Sequence, residues 1–423
     1  MSTVVSGRSS RRTMVASTVG TVMEWYDFNL YGLASALVFG PLFFASSDLG
    51  GTLASFATFA VGFAARPLGG LLFGHLGDRI GRKRVLLTTL LAMGAATTLV
   101  GALPTHAQIG AWAPVLLIVL RVCQGIAVGG EFAGATLLTV ENAPPGKRGL
   151  FGAIPAMGTG GGFVLASAVF GAVSMLPEDA FLAWGWRVPF LVSAALVLFG
   201  LWIRSGIEET PVFSELAEQG KTVRFPLLLI LREQPGAVLR TMGITVSGFV
   251  WGYLIQAFSL AYGTTELGLS KPTMLWAIAL ASALEIGTIP LWGWLSDRIG
   301  RRRMVAIGLG FTVLYVFPFF WLLGTRSAPL VFLAMILAIP VAKDMVFGPQ
   351  AALVAELFDS RGRFSGVSAG REIGGAIFGG TAPFIGTALL AASGSIVPVA
   401  LYVILACAIT FWAVFSGRET AFS

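Results

Sequence analysis

Charged residues are scarce in this chain. Of its 423 residues only 12% are Asp, Glu, Lys or Arg, whereas 56% are hydrophobic. A soluble domain with this composition would have too little polar surface, which indicates a protein with several membrane-spanning segments. The apolar runs also lack the alternation of apolar and polar residues, over segments of about ten, that an outer-membrane β-barrel would show. We therefore predict an all-α membrane protein.

Cysteine and histidine are scarcer still. Cys123 and Cys407 both lie inside apolar runs, so we expect no stabilising disulfide. His75 and His106 are far apart in the sequence and do not predict a proton relay. The sequence also lacks a nucleotide-binding loop, a catalytic constellation and a soluble sensor domain. We therefore predict neither an enzyme nor a sensor, and no cofactor or metal.

Long apolar runs are abundant, and twelve are long enough to cross about 30 Å of hydrocarbon as helices. They cover residues 14–45, 52–76, 84–104, 112–140, 149–175, 186–205, 235–263, 273–296, 303–323, 329–357, 364–391 and 395–416. The longest polar stretch divides them into six and six. We predict an N-terminal half over 1–205, a linker over 206–234 and a C-terminal half over 235–423. Thr210 followed by Pro211 predicts a short surface helix in the linker.

The distribution of basic residues predicts the orientation of the bundle. Most of the 28 Lys and Arg residues fall on the side of the N-terminus, and Arg187, Lys271 and Arg326 lie near the other side. Because Lys and Arg concentrate in cytoplasmic loops, both termini are predicted to be cytoplasmic. The net charge of +7 then reflects topology, so we predict no nucleic-acid partner. The first apolar run is too long for a signal peptide and should remain uncleaved.

Two stretches of the chain nearly repeat each other. GHLGDRIGRKRV at 74–85 and GWLSDRIGRRRM at 293–304 each lie between two apolar runs. With a slightly different offset, ENAPPGKRG at 141–149 aligns with ELFDSRGRF at 356–364, so that a glutamate in one half matches a glutamate in the other. The repetition predicts two pseudo-symmetric halves around a central pathway.

The duplicated loop, GxxxDRxGR followed by another basic residue, resembles the signature of the major facilitator superfamily. Further motifs resemble the metabolite:proton symporters of that superfamily, most of all the shikimate-type permeases. These motifs are VMEWYDFNLYG at 22–32, RPLGGLLFGHLGDRIGRKR at 66–84, RVCQGIAVGGEFAGA at 121–135, WGWRVPFL at 184–191 and ELFDSRGRFSGVSAG at 356–370. The resemblance implies twelve membrane helices, of which the first, fourth, seventh and tenth line a central cavity.

Ten ionisable residues are predicted to lie at membrane depth. They are Glu24, Asp27, Arg66, Arg121, Glu131, Glu285, Lys343, Asp344, Arg371 and Glu372. Each costs roughly 3 kcal/mol at the centre of a membrane helix unless it is paired or hydrated, so we expect all of them to face a polar interior. Because the acids outnumber the bases, at least one carboxylate lacks a cationic partner of its own.

The first predicted span carries the candidates for proton coupling. Glu24, Asp27 and Tyr31 are spaced so that they share one face of a helix, and Glu24 falls near the middle of the membrane. Burial disfavours the charged form of a carboxyl group that has no partner. We predict that Glu24 or Asp27 carries the proton, with Arg121 tuning its affinity. The alternative is that these residues only hold helices together as buried ion pairs.

Several polar or aromatic residues in the spans are candidates for substrate binding. They are Tyr31, Arg66, Arg121, Gln124, Trp251, Tyr253, Gln256, Glu285 and Lys343. We expect Lys343 or Arg121 to contact a substrate carboxylate. Arg66 is equally consistent with a helix-packing ion pair, and Trp251 and Tyr253 are equally consistent with packing aromatics.

The resemblance also implies an inner gate built on the duplicated loops. Its candidate residues are Asp78, Arg82 and Glu141 in one half and Asp297, Arg301 and Glu356 in the other. Charge clusters of these residues would hold the cytoplasmic side closed and break when the halves rock apart. The alternative is a basic loop that only enforces topology. Arg371 and Glu372, in the eleventh span, are expected to form a gate or a structural pair.

The sequence thus favours a secondary active transporter. We expect proton-coupled uptake of a small organic acid, such as shikimate or a related carboxylate, by alternating access. The alternatives are proton symport of a zwitterion such as proline or betaine, and a permease of the 2-oxoglutarate or citrate type. We expect a multi-pass protein of the inner membrane that functions as a monomer. Its partners would be a small-molecule substrate, the proton as coupling ion and the lipid bilayer.

Overall fold

The structure is a computed structural model, and it describes residues 7–45, 49–80, 82–129, 137, 139–140, 143–205, 232–358 and 363–417. The side chains of 7–17, 71, 74–80, 82–86, 203–205 and 364 are outside that description. Glu131, Glu141 and the predicted linker helix therefore lie outside the described residues, and Asp78 and Arg82 lie outside the described side chains. Over the described ranges the protein is helical and contains no β-strand, as predicted.

Twelve long helices make up most of the described chain, which confirms the predicted number. They are α1 (Gly7–Leu37), α2 (Leu49–Ile80), α3 (Arg82–Ala102), α4 (Trp112–Val128), α5 (Arg148–Val173), α6 (Glu178–Trp202), α7 (Pro235–Glu266), α8 (Lys271–Ile299), α9 (Arg301–Gly324), α10 (Ala328–Ala355), α11 (Ser365–Ser393) and α12 (Val397–Phe415). Eight of those in the described residues, α5 to α12, are long and apolar enough to cross a membrane. The first six helices form one half of the bundle, and the last six form the other.

The first helix ends earlier than predicted because of a proline. We predicted one span over 14–45, but α1 ends at Leu37 and a short helix, Phe39–Phe43, follows. Pro41 has no backbone N–H to donate to the carbonyl of Leu37, and in a continuous helix its ring would clash with that carbonyl. Most other helix ends lie within a few residues of their predicted positions.

Two further spans differ more from their predicted bounds. The fourth span was predicted to reach 140, but α4 ends at Val128, because the backbone leaves the helical region at Gly129 with a ψ of 112°. The sixth span was predicted to begin at 186, but α6 begins at Glu178.

Four of the described helices, α6, α7, α10 and α11, contain segments of wider, π-helical backbone, and two of these segments carry polar residues that face the interior. Leu254–Phe258 interrupts α7, and Leu337–Lys343 interrupts α10. Pro340 lies inside the α10 segment, where it cannot donate the hydrogen bond of a regular α-helix. Such segments are frequent at functional sites. Here they carry Gln256 and Lys343, both of which face the interior between the two halves.

The two halves are in close contact along α5 and α8, where glycines replace larger residues. A Cβ atom added to Gly293 of α8 would lie 2.7 Å from the carbonyl oxygen of Gly149 of α5. Further along the same pair of helices, a Cβ atom added to Gly160 would lie 3.0 Å from the carbonyl oxygen of Ser282. Small residues at such positions let membrane helices approach closely. The halves are therefore packed together at both of these levels.

The outward surface of the bundle is apolar. Trp202, Leu314, Trp321 and Trp412 are each more than two-thirds exposed. A soluble monomer rarely exposes such extensive apolar surface, whereas hydrocarbon is a favourable environment for it. This surface is therefore the one that faces lipid.

The two ends of the bundle differ in charge. Lys147, Arg148 and the run 301–303 lie at one end, which we call the basic end. Lys271 and Arg326 lie at the opposite end, at the start of α8 and after α9. The basic end is the one that the sequence predicts to be cytoplasmic.

Candidate functional site

A cavity lies between the two halves, where about 410 Å³ is free of protein atoms, including the space at its opening. Its lining residues are Trp25, Thr159, Phe163, Thr245, Gly248, Phe249, Gly252, Tyr253, Gln256, Lys343, Phe347, Gln350 and Arg371. These residues belong to α1, α5, α7, α10 and α11. The first, seventh and tenth helices were expected to line a central cavity. The fourth was also expected to do so, but the described residues of α4 contribute none of the lining.

Two buried cations face this cavity. Lys343 of α10 and Arg371 of α11 are each 6% exposed. Gln256 and Tyr253 of α7 line the same cavity, and neither Gln256 Oε1 nor the Tyr253 hydroxyl has a hydrogen-bond partner among the described residues. The cavity thus combines positive charge with unsatisfied polar groups, and this combination suits an anionic ligand that also carries hydroxyl groups.

Lys343 is held between two carboxyl groups. Its Nζ donates a hydrogen bond to Glu285 Oε1 and lies 3.4 Å from Asp344 Oδ1. The hydroxyl of Thr288 donates a hydrogen bond to Asp344 Oδ2 at 2.6 Å. Glu285 and Asp344 have no exposed surface, so Lys343 is the member of this group that reaches the cavity. Glu285, a predicted substrate-binding residue, contacts Lys343 behind the cavity wall.

An ion pair joins the two halves beside the cavity. Arg66 of α2 donates two hydrogen bonds to Glu372 of α11, from Nε at 2.7 Å and from Nη2 at 3.2 Å. Glu24 of α1 also lies close to this guanidinium, 3.7 Å from Arg66 Nη2. Arg66 therefore binds carboxylates from both halves. Its position matches the helix-packing alternative that the sequence left open, and it does not line the cavity.

Asp27 is buried without a cationic partner. The residue is 4% exposed. Its Oδ1 accepts a hydrogen bond from the hydroxyl of Ser193 of α6 at 2.7 Å. Thr97 of α3 lies beside this carboxyl group, but its own hydroxyl donates to the backbone carbonyl of Met93 at 3.0 Å. Among the described residues no Lys, Arg or His forms an ion pair with this carboxyl group. Glu24 and Asp27 share one helix face, but only Glu24 contacts a cation.

Arg121 of α4 is the complementary case, a buried cation that forms no ion pair in the described part of the chain. It has no exposed surface, and its guanidinium carbon lies 4.3 Å from the ring centre of Phe28 and 4.1 Å from that of Tyr31. Its Nη1 donates to Gln124 Oε1 at 3.2 Å, and Gln124 Nε2 donates to Thr97 at 2.7 Å. Gln124 and Thr97 therefore connect Arg121 with the surroundings of Asp27.

Of the nine predicted substrate-binding residues, Tyr253, Gln256 and Lys343 line the cavity. Tyr31 and Trp251, like Arg66, Arg121, Gln124 and Glu285, lie away from it. The hydroxyl groups of Tyr31 and Thr58 are hydrogen-bonded at 2.8 Å. Trp251 packs edge-on against Phe319, with the ring centres 5.2 Å apart. In this conformation both side chains pack against other helices, which is the alternative that the sequence left open for Trp251.

A charge cluster at the basic end connects the halves a second time. Arg301 of α9 donates to both oxygens of Glu356, at 2.9 Å from Nε and at 2.7 Å from Nη2. Asp297 of α8 lies 3.5 Å from Arg301 Nη1 and accepts hydrogen bonds from the backbone N–H groups of Gly149 and Leu150, at 2.7 and 2.9 Å. The negative charge therefore lies at the positive end of the α5 dipole, in the opposite half.

Some lining residues were not among the sequence candidates for binding. Arg371 and Gln350 were visible as polar residues in apolar runs, and Arg371 was assigned to a gate or structural pair. Thr159, Thr245 and the aromatic residues of the lining carry no such signal, because threonine and phenylalanine are ordinary in membrane helices. Only the packing of α5 and α7 against the other helices identifies them.

Comparisons with known proteins agree with the fold and with this arrangement of helices. The family profile described as Major Facilitator Superfamily matches residues 18–380. The chain is 42% identical to the shikimate transporter of Escherichia coli strain K12, over 95% of this chain and 93% of that protein. It is 31% identical to the proline/betaine transporter of the same strain, over 99% of this chain and 85% of that protein. Among solved structures it resembles the xylose transporter XylE from E. coli, with a TM-score of 0.72 and 17% identity over 97% of this chain and 98% of that one.

Proposed function

Because the chain belongs to the major facilitator superfamily of membrane transporters, we propose that it takes up a small organic acid together with a proton. The substrate would be shikimate or a related carboxylate with hydroxyl groups. The protein is a multi-pass membrane transporter of a small molecule, and the proposal concerns which molecule it carries and what drives the transport.

The observation that carries the proposal is the pair of cations in the cavity between the halves. Lys343 and Arg371 both face it, and a guanidinium binds a carboxylate through two parallel hydrogen bonds. Gln256, Gln350 and Tyr253 add groups that donate or accept hydrogen bonds to hydroxyl groups. The 42% identity to a shikimate transporter supports the same class of substrate.

One feature of the cavity favours a zwitterion as the second candidate. Trp25, Phe163, Phe249, Tyr253 and Phe347 give it an aromatic lining, and aromatic faces attract quaternary ammonium groups. The relatives that transport proline and betaine are 31% to 32% identical to this chain. The two cations argue against this candidate, because they would repel the ammonium group of a zwitterion at close range.

Asp27 is the proposed proton carrier. It is buried, it accepts a hydrogen bond from Ser193 and it forms no ion pair with a described residue, and burial disfavours the charged form of such a carboxyl group. Arg121 would respond to its protonation through Gln124 and Thr97. An inward proton gains about 2.3 kcal/mol per 100 mV, and each pH unit adds about 1.4 kcal/mol. With a monoanionic substrate and one proton the charges cancel, so the pH gradient alone would drive uptake.

Alternating access would follow from rocking of the two halves, 1–205 and 235–423, about the linker 206–234. With both termini in the cytoplasm, the basic end would be the inner gate. The contacts of Asp297 with the start of α5 and the 4.0 Å ion pair between Arg148 and Glu356 would hold it closed. We propose that the protein works as a monomer, with the proton as its coupling ion and without a further cofactor.

Uptake into proteoliposomes tests the proposal. Purified protein would be supplied with labelled shikimate, with and without an imposed pH gradient that is acid outside. We expect accumulation only with the gradient, and competition by related hydroxylated carboxylates. Equal uptake with and without the pH gradient would contradict proton coupling. Competition by proline or betaine, without competition by organic acids, would indicate that the substrate is a zwitterion. Competition by 2-oxoglutarate or citrate would indicate a permease for acids with several carboxylates.

A further inference from the structure

Three ionisable side chains in the C-terminal half include one more acid than base. They are Glu285 of α8 and Lys343 and Asp344 of α10, which we call the acid–lysine cluster. Glu285 and Asp344 are 0% exposed and Lys343 is 6% exposed. The Lys343 ammonium donates to Glu285 and lies 3.4 Å from Asp344 Oδ1. With both carboxyl groups ionised, the cluster would carry one uncompensated negative charge.

No second cation reaches the cluster within the residues that the structure describes. The further hydrogen bond to it comes from the neutral hydroxyl of Thr288, which donates to Asp344 Oδ2 at 2.6 Å. Glu285 Oε2 and Asp344 Oδ1 are buried and accept no hydrogen bond over the described ranges. Lys343 is therefore shared by two carboxyl groups, and it can neutralise only one of them.

The neighbouring helices contribute no compensating charge from their described residues. On α5 the neighbour is Phe163, whose ring centre lies 5.8 Å from the Lys343 ammonium. On α9 the hydroxyl of Tyr315 donates to a backbone carbonyl of α10. On α7 and α11, Tyr253 and Arg371 face the cavity, and the carboxylates with which Arg371 interacts include Glu372 and Glu24.

A carboxylate without a counter-charge is strongly unfavourable in a buried site, and such a group binds a proton instead. We propose that the acid–lysine cluster is a second proton-binding site, separate from Asp27, in which Glu285 and Asp344 share one proton and one lysine. With that proton bound, one carboxylate pairs with the ammonium and the other carboxyl is a neutral acid. The cluster as a whole is then uncharged.

The position of Lys343 links this proton site to the cavity, and this consequence rests on the proposed function. Lys343 is the cluster member that faces the cavity, so a substrate carboxylate that binds its ammonium competes with Glu285. The displaced Glu285 then takes a proton from solution onto one of its oxygens, and it releases that proton when the substrate leaves. By reciprocity, protonation of the cluster strengthens substrate binding by the same factor.

Infrared difference spectroscopy of the purified full-length protein at neutral pH tests the proton site without any substrate. The C=O stretching band of a neutral carboxylic acid is separate from the bands of a carboxylate. We expect wild type minus E285Q to show the loss of one carboxylic-acid band, and wild type minus D344N to show the same loss. Either substitution leaves one carboxylate and one ammonium, a pair that is neutral without a bound proton. Each variant gives the answer independently if the other does not fold.

Two further variants complete the experiment. E178Q removes an exposed carboxylate that pairs with Lys271 at the opposite end, and its difference spectrum should show only carboxylate bands. K343Q removes the cation, so both carboxyl groups should then be protonated and the carboxylic-acid band should grow by one group. If E285Q and D344N give the carboxylate signature of E178Q, the cluster holds no proton and the proposal is overturned. This outcome is independent of whether the wild type transports an organic acid.

Discussion

Glu24 and Asp27 show how strongly the surroundings of a residue decide its chemistry. They lie one helical turn apart on α1 and are both buried. Glu24 lies 3.7 Å from Arg66, and such a cation stabilises its charged form. Asp27 accepts a hydrogen bond from Ser193 and lies beside Thr97, and both of these residues are neutral. Of the two candidates that the sequence leaves open, Asp27 is therefore the better proton carrier.

Replacing Asp27 with asparagine should abolish proton coupling while retaining the shape of the side chain. One proton per substrate under a one-unit pH gradient supports about tenfold accumulation, and D27N should lose this accumulation but continue to exchange labelled for unlabelled substrate. The measurement is the accumulation ratio in proteoliposomes. D179N makes the same chemical change at an exposed site in the first turn of α6 and should accumulate substrate like the wild type. Full accumulation by D27N would show that another residue carries the proton, and Glu24 would be the next candidate.

Arg371 should contribute to substrate affinity. A hydrogen bond to a charged group is worth about 1.5–3 kcal/mol, so R371Q should raise the half-saturation concentration for uptake about tenfold to a hundredfold. Initial rates measured over a range of substrate concentrations would detect this change. The control is R326N, because Arg326 lies outside the bundle core at a positive φ of 58°, a conformation that asparagine tolerates. An unchanged half-saturation concentration for R371Q would show that Arg371 does not contribute to substrate binding.

At the scale of helices, glycines and prolines determine how closely neighbouring helices pack and where the regular α-helix is interrupted. Gly149 and Gly293 allow α5 and α8 to approach at the basic end. Pro340 lies in the π-helical segment that carries Lys343. That segment also accepts a hydrogen bond from α8, since Trp292 Nε1 donates to the carbonyl of Pro340 at 2.7 Å. The position of the lysine therefore depends on the contact between α8 and α10 as well as on its own helix.

Substitution of Gly293 by alanine should weaken the contact between the halves. The new Cβ would lie 2.7 Å from the Gly149 carbonyl oxygen and 2.8 Å from the Cβ of Ala153. Overpacking of this kind costs about 1–3 kcal/mol, so G293A should unfold at a lower temperature in detergent. Gly287 lies on the same helix with no atom within 4 Å of an added Cβ, and G287A should unfold like the wild type. Equal unfolding temperatures for the two variants would contradict the close contact.

At the scale of the whole molecule, contacts between the halves exist at both ends. At the basic end Asp297 binds the start of α5 across the interface. At the opposite end Lys271 of α8 binds Glu178 of α6 at 2.6 Å, and Glu178 is exposed. Buried charged hydrogen bonds are worth more than exposed ion pairs, which are screened by water. The basic end is therefore the more strongly held of the two.

Replacing Asp297 with asparagine should slow transport without a matching loss of substrate affinity. The amide retains one acceptor oxygen but loses the charge that binds Arg301 and the start of α5, so the closed state of the basic end is stabilised less. We expect a lower maximal transport rate and little change in the dissociation constant for shikimate. E178Q at the opposite end should alter the rate much less. Equal effects of the two substitutions would argue against a gate at Asp297.

The membrane makes the helices of this chain predictable. Each helix satisfies its own backbone hydrogen bonds and must cross a layer of fixed thickness, so length and hydropathy were enough to predict twelve spans. The exceptions include α1, where Pro41 ends the helix before the apolar run ends, and α4, which ends at Val128 although its apolar run was predicted to continue to 140. Candidate residues such as Lys343 and Arg371 were also visible, because a charge inside an apolar run is unfavourable and therefore conspicuous.

Sequence could not predict which of those charges meet. Arg66 and Glu372 are distant in the chain but form two hydrogen bonds, and Glu285 binds Lys343 from another helix. Such pairs depend on how each helix is rotated about its axis and how deep it lies, and these are set by side-chain packing across the whole bundle. Composition and hydropathy thus predicted a membrane protein of twelve helices, and the repeated motifs, by their resemblance to the major facilitator superfamily, implied a transporter of two halves. The tertiary structure alone separated Asp27 from Glu24, because the cation that distinguishes them comes from a different helix.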